Sequence, residues 1–205
     1  MDPTTAANGP SSRSESIAQP TCSFINKKIS IKANRVKILL YICKVIMSKK
    51  VKIEQVRSTE TASLYTIIFE DGDMSEFAKF LNRFKDNGKL QRDYQLILYA
   101  LRKILENGVQ ERYFRPEGKF ADRVCALPID SGKLRLYCLR ISDKILILGN
   151  GGIKQTKTYN ENQELNGYVM DLQRFDALLK AAEKDGSIIV EETILNGITD
   201  KTFEL

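Results

Sequence analysis

The stretch KLRLYCLRISDKILILGNGGIKQTKTY, Lys133–Tyr159, decides how the rest of the chain is read. Leu134, Leu136 and Cys138 alternate with Arg135, Tyr137 and Leu139, the period-two pattern of a strand. Ser142-Asp143 interrupts it, and Ile145-Leu146-Ile147-Leu148 follows. Two strand patterns around a short polar break predict an antiparallel hairpin. Asn150-Gly151-Gly152 then frees the backbone, and Lys154, Lys157 and Tyr159 make the next segment a basic loop with an aromatic tip. Arg135 and Tyr137, two residues apart, should project from one face. Cations and a phenol on a rigid hairpin suit a phosphodiester better than a neutral metabolite.

Upstream, Arg123-Val124-Cys125-Ala126-Leu127 predicts a strand stopped by Pro128. Asp130-Ser131-Gly132 turns the chain into the hairpin, which completes a three-stranded meander. Arg112-Tyr113-Phe114-Arg115 predicts a further extended segment. The strongest helical signal is Leu90–Asn107, where Tyr94, Ile97, Leu98, Leu101, Ile104 and Leu105 share a face. Met74–Lys85 predicts a shorter helix with Phe77, Phe80, Leu81 and Phe84 on one side and Asp73 or Ser75 as cap. Tyr65–Phe69 predicts a strand. Downstream, Leu165, Val169, Leu172, Phe175, Leu179 and Ala182 repeat at helical spacing, and Gly186 closes that helix. Ser187–Val190 is a short β-type run, and residues 186–205 are expected to form a partly ordered acidic tail.

Residues 1–23 are rich in Ser, Thr, Ala, Pro and Asn and predict disorder. The apolar run Ile38–Ile46 is too short for a membrane span and contains Lys44. Patterned sequence starts after Met47-Ser48-Lys49-Lys50, so residues 1–46 are expected to be a leader outside a domain spanning 47–185.

Charge is uneven along the 205 residues. Residues 1–57 hold 11 Lys and Arg against 3 Asp and Glu, and residues 58–159 hold 17 against 13. Residues 160–205 reverse this, with 4 against 10. A basic body with an acidic end fits a polyanion partner, and fits simple solubility equally well. Cys22, Cys43, Cys125 and Cys138 form no C-x-x-C pair, and the chain has no histidine. Neither a zinc site nor any cofactor is expected, and every histidine-based triad is excluded. Cys125 and Cys138 lie in apolar strands and read as reduced core residues, which points to a cytoplasmic setting.

The order strand, two helices, three-stranded meander, helix resembles the RelE/ParE-like toxin family of bacterial toxin–antitoxin systems. The resemblance rests on Gly132-Lys133-Leu134-Arg135-Leu136, on Ser142-Asp143-Lys144 before Ile145–Leu148, and on Gly152-Ile153-Lys154 with Tyr159. It covers roughly residues 64–183. It implies an α+β fold, a two-helix hairpin packed on a small antiparallel sheet with a C-terminal helix. It also implies a metal-free endoribonuclease that cleaves mRNA, at the ribosome, and is neutralised by an antitoxin protein. No membrane partner is implied. The chain departs from the family at Val124–Leu127, where RNA-cleaving members often carry lysines. A non-catalytic interaction protein on the same scaffold, like the gyrase-binding branch, is the alternative.

Metal-free RNA cleavage needs a base for the 2′-hydroxyl, an acid for the leaving 5′-oxygen, and cations for charge growing on the phosphoryl oxygens. Arg135, Lys154 and Tyr159 are the candidate catalytic residues. Arg135 either holds two phosphate oxygens with its planar fork or pairs with a carboxylate on a neighbouring strand. Tyr159 either donates a proton, stacks on a base, or is half-buried at a helix start. Arg112, Arg115, Arg123, Lys133, Tyr137 and Lys157 are the candidate RNA-binding set.

Overall fold

The computed structural model describes residues 48–117, 121–127, 132–154 and 159–205. Expectations for residues 1–46 fall outside these. Residues from Ser48 to Leu205 form one compact unit of α+β class.

A mixed, mostly antiparallel sheet forms the frame. Its strands are β1 (Lys50–Ser58), β2 (Ser63–Phe69), β3 (Arg115–Pro116), β4 (Val124–Leu127), β5 (Leu134–Arg140), β6 (Ile145–Ile153) and, at the C-terminus, β9 (Phe203–Glu204). The order across the sheet is β3-β4-β5-β6-β2-β1-β9. The hairpin expected from Lys133–Leu148 is present as β5–β6, and β4–β5–β6 is the meander. β6 runs parallel to β2, with Ser63 opposite Ile145 and Thr66 opposite Leu148. Seven strands make the sheet larger than the small sheet expected.

Both faces of this sheet are covered. Helices α1 (Glu76–Phe84) and α2 (Gln91–Asn107) pack on one face, where Phe80, Phe84, Ile97 and Ile104 meet Leu134, Leu136, Cys138, Leu146 and Leu148. Helix α3 (Gln163–Lys184) covers the other, where Leu165, Val169, Leu172 and Phe175 meet Tyr137, Leu139, Ile145 and Ile147. This explains the unbroken Ile145–Leu148 run. A central strand buried on both sides has no polar face to alternate with.

Local signals set the helix boundaries. Ser75 Oγ accepts the Ala78 N–H at 3.3 Å and caps α1. Asn162 Oδ1 accepts from Glu164 N and Leu165 N at 3.0 and 3.1 Å and caps α3. Ser75→Ala is expected to lower stability by about 1 kcal/mol, the usual worth of a cap. Urea unfolding monitored by circular dichroism measures it, and an unchanged midpoint would deny the cap its role.

The acidic C-terminal segment is not a tail. β7 (Ile189–Glu191) and β8 (Ile194–Asn196) form a hairpin, and β9 closes the edge of β1. Ile188, Leu195 and Phe203 are buried beside α3. Asn150-Gly151-Gly152 also differs from expectation, because it lies within β6 and not in a loop. Gly149 and Asn150 together oppose the single residue Tyr137, a β-bulge in β6. A Cβ on Gly151 would stand 2.0 Å from the Arg135 carbonyl oxygen. Glycine is required there by close backbone approach, not by a need to bend.

Candidate functional site

β5 and β6 bring three of the expected cations to one end of the sheet. Lys133 stands just ahead of β5, and its carbonyl accepts the Lys154 N–H at 2.6 Å. Arg135 lies one rung in, opposite Gly152. The start of β5 is held by α2, because Asp93 Oδ2 in its first turn accepts the Lys133 and Leu134 N–H groups at 2.7 and 3.1 Å. Lys133 is exposed, and Lys154 and Arg135 are half-buried.

Arg135 does not pair with a carboxylate among the described residues. Its Nη1 donates to the carbonyls of Gly132 and Leu134, each at 2.9 Å. Its Nε is buried and meets no acceptor among the described residues. Two backbone bonds therefore fix the guanidinium beside the strand's start, and no carboxylate among the described residues pairs with it.

A second cluster flanks this end. The first turn of α3 crosses above Gly152, where an added Cβ would stand 2.9 Å from Leu165 Cδ2 and 3.9 Å from Glu164 Oε2. Arg83, in the last turn of α1, makes a two-pronged pair with Glu164, with Nη2 to Oε2 at 3.2 Å. The Tyr168 hydroxyl donates to Glu164 Oε1 at 3.0 Å. The hydrogen bond from Arg83 holds the Glu164 carboxyl below its usual range. Burial, followed by the hydrogen bond to Glu164, pushes the Tyr168 phenol up to about 12. Glu164 therefore stays ionised and Tyr168 protonated through the neutral range. The sequence reading missed Arg83, Glu164 and Tyr168. The available signal was Asn162 as cap, which places Glu164 in a first turn and Tyr168 one turn on.

Other expected residues lie elsewhere. Tyr137 shares the α3 face with Arg135, as its spacing requires, but it is fully buried in the core beneath that helix. It is a core residue and presents no ring to RNA. Arg123 is also committed internally. Its Nε donates to Asp176 Oδ1 at 2.6 Å and its Nη1 to Glu183 Oε1 at 2.9 Å, both on α3. Arg112 and Arg123 line a separate cleft of about 620 Å³ with Glu111, Phe114, Cys125 and Arg140. That cleft is at the Val124–Leu139 end of the β4–β5 ladder, away from Lys133 and Lys154. Arg112 lies 5.4 Å over the Tyr113 ring, and Arg115 sits exposed on the edge strand. Lys157 and the Tyr159 side chain lie outside the described residues, although Tyr159 opens a short turn before α3.

The chain matches no family model, no curated protein and no solved structure. The functional reading therefore rests on the chain's own residues. Among the described residues, no helix is long and apolar enough to cross a membrane. Cys125 and Cys138 are opposite one another on β4 and β5, unlinked and buried, and burial raises the Cys125 thiol to about 12. At that value Cys125 is no nucleophile near neutral pH.

Proposed function

We propose that this chain is a toxin-like, metal-free endoribonuclease of RelE/ParE type, acting on mRNA with Lys133, Arg135 and Lys154 as its phosphate-binding set. The observation that carries the reading is the placement of these three cations at one end of β5–β6, with no carboxylate among the described residues paired to Arg135. A fork tied down by two backbone carbonyls is pre-oriented, so little ordering is needed when a phosphate arrives. Arg135 would carry charge that develops on the phosphoryl oxygens, and Lys133 and Lys154 would hold the flanking backbone. α1 and α2 together on one sheet face, with α3 following the meander, agree with the element order that the family resemblance implies.

A second reading has its own support. Glu164 is held ionised and Tyr168 protonated, and neither is tuned toward neutral pH for proton transfer. That favours a non-catalytic member of the same scaffold, one that uses this end to grip a partner. The two readings separate in one assay, cleavage of a labelled single-stranded RNA in the presence of a chelator. Cleavage supports the ribonuclease, and tight binding without cleavage supports the second reading.

Binding itself gives an independent prediction. Three cations that displace counterions from a single strand should give a slope of log K against log salt of about −2. Fluorescence anisotropy across a salt series measures it. A flat response would remove the phosphate site and leave the non-catalytic reading with a protein partner alone.

A further inference from the structure

Two exposed surfaces on this chain have complementary chemistry and lie on opposite faces of the sheet. The first is the outer flank of α2. Leu96 and Tyr99 are 40% and 54% exposed there. Two hollows of about 420 and 500 Å³ run along the flank and share Leu98 and Arg102. Arg92 and Arg102 line the first, and Arg57 and Arg102 the second. None of these three arginines makes an ion pair among the described residues. The acid that lines the groove, Glu106, is taken up by Lys103 at 2.8 Å. The flank is therefore apolar at its centre and carries three arginines without an ion pair among the described residues.

The second surface is the β7–β8 hairpin. Its register sets Ile189 opposite Asn196 and Glu191 opposite Ile194, so Ile189 and Ile194 are diagonal neighbours on one side. They are 51% and 53% exposed. The other side of the hairpin presents Leu195 and Val190 to the core. Glu191 stands opposite Ile194 with Glu192 next in the turn, Asp185 and Asp200 flank the hairpin in sequence, and the first cation after Lys184 is Lys201, whose Nζ donates to Ser187 Oγ. Glu192 is paired with Lys144, and the net charge of the segment remains acidic. Isolated exposed apolar residues are ordinary, but an isoleucine pair at over half exposure inside an acidic hairpin is a patch that fits a basic apolar groove.

We infer that the α2 flank of one copy receives the β7–β8 hairpin of a second copy, with Ile189 and Ile194 against Leu96, Leu98 and Tyr99 and the hairpin's acids facing Arg57, Arg92 and Arg102. The two surfaces cannot meet within one chain. The hairpin packs with α3 on one sheet face, and α2 lies on the other. The contact is therefore head-to-tail, and it leaves one free groove and one free hairpin at the ends of any short assembly. The apolar patches are small, which places the interface at the low-area, transient end of the range. Charge steers the encounter, so association weakens as salt screens it. The inference is independent of the proposed activity.

The test is sedimentation equilibrium of the full chain from about 1 µM to about 1 mM. The average mass should rise above the monomer with concentration and fall back at high salt. A groove variant, R92E with R102E, should be monomeric alone. A hairpin variant, I189D with I194D, should also be monomeric alone. All four sites are exposed, so both variants should keep the wild-type melting temperature. Mixed together, they should form a one-to-one dimer and nothing larger, because each supplies one intact surface. Wild-type protein that stays monomeric throughout overturns the proposal. So does a mixture that fails to pair while the wild type associates, since association would then use another surface.

Discussion

Asp176→Ala is expected to destabilise the protein by about 3 kcal/mol or more, the cost of leaving a buried charge without its partner. Asp176 is 1% exposed on the inner face of α3. Its carboxylate accepts from Arg123 Nε at 2.6 Å and the Arg123 backbone N–H at 3.3 Å, and it pairs with Lys180 at 2.7 Å. Removing it strands the inward side of Arg123, whose Nη2 is already buried without an acceptor among the described residues. Glu183 stays bound to Nη1, which holds the loss toward the lower end. The same pair ties α3 to the start of β4, so the effect should be cooperative and should not be confined to a frayed end. The comparison that isolates the ion pair is Arg123→Leu alone and combined with Asp176→Ala. The double variant should lose less than the sum of the two singles, because it removes both the charge and its orphan. Chemical denaturation measures all three. A loss under about 1 kcal/mol for Asp176→Ala, the range of an exposed pair, would show that water reaches Arg123.

How much was legible in the sequence follows from the range of each interaction. The three helices and the β5–β6 hairpin rest on local periodicity, and they occur where Tyr94–Leu105, Phe77–Phe84, Leu165–Ala182 and Leu134–Leu148 place them. β1 and β9 did not stand out. Val51 and Ile53 are the buried residues of a strand otherwise exposed, and β9 is two residues long. Asn150-Gly151-Gly152 read as a loop because its residues have low strand propensity. What keeps it in β6 is the approach of Arg135 and α3, which is invisible in the string. The spacing of Arg135 and Tyr137 correctly put them on one face. That α3 would cover Tyr137 and spare Arg135 depended on where Asn162 starts the helix over Gly152. Arg123 was read as available because its acids lie more than fifty residues downstream.

Arg135→Ala should lower RNA cleavage by about 10²–10³-fold on the proposed reading, the usual cost of removing one preorganised donor to developing charge. The structural cost should be much smaller. Arg135 gives up two hydrogen bonds to the Gly132 and Leu134 carbonyls, at the end of a strand whose start is still held by Asp93. Such bonds are worth about 1 kcal/mol each, and the freed carbonyls gain access to water. Activity and melting temperature should therefore separate, which a purely structural arginine would not allow. Arg135→Lys sharpens the distinction. It keeps the charge but loses the planar fork, so it should retain RNA binding and its salt dependence while recovering little of the cleavage rate. Lys154→Ala should weaken binding more than turnover if it holds the neighbouring phosphate. In cells, induced expression of the wild type should slow growth and degrade mRNA, and the Arg135→Ala chain should do neither at equal abundance. A folded Arg135→Ala protein with full activity would remove this arginine from the mechanism. An inert wild type that still binds RNA would leave the gripping role of Lys133, Arg135 and Lys154 in place and transfer the function to the partner that they hold.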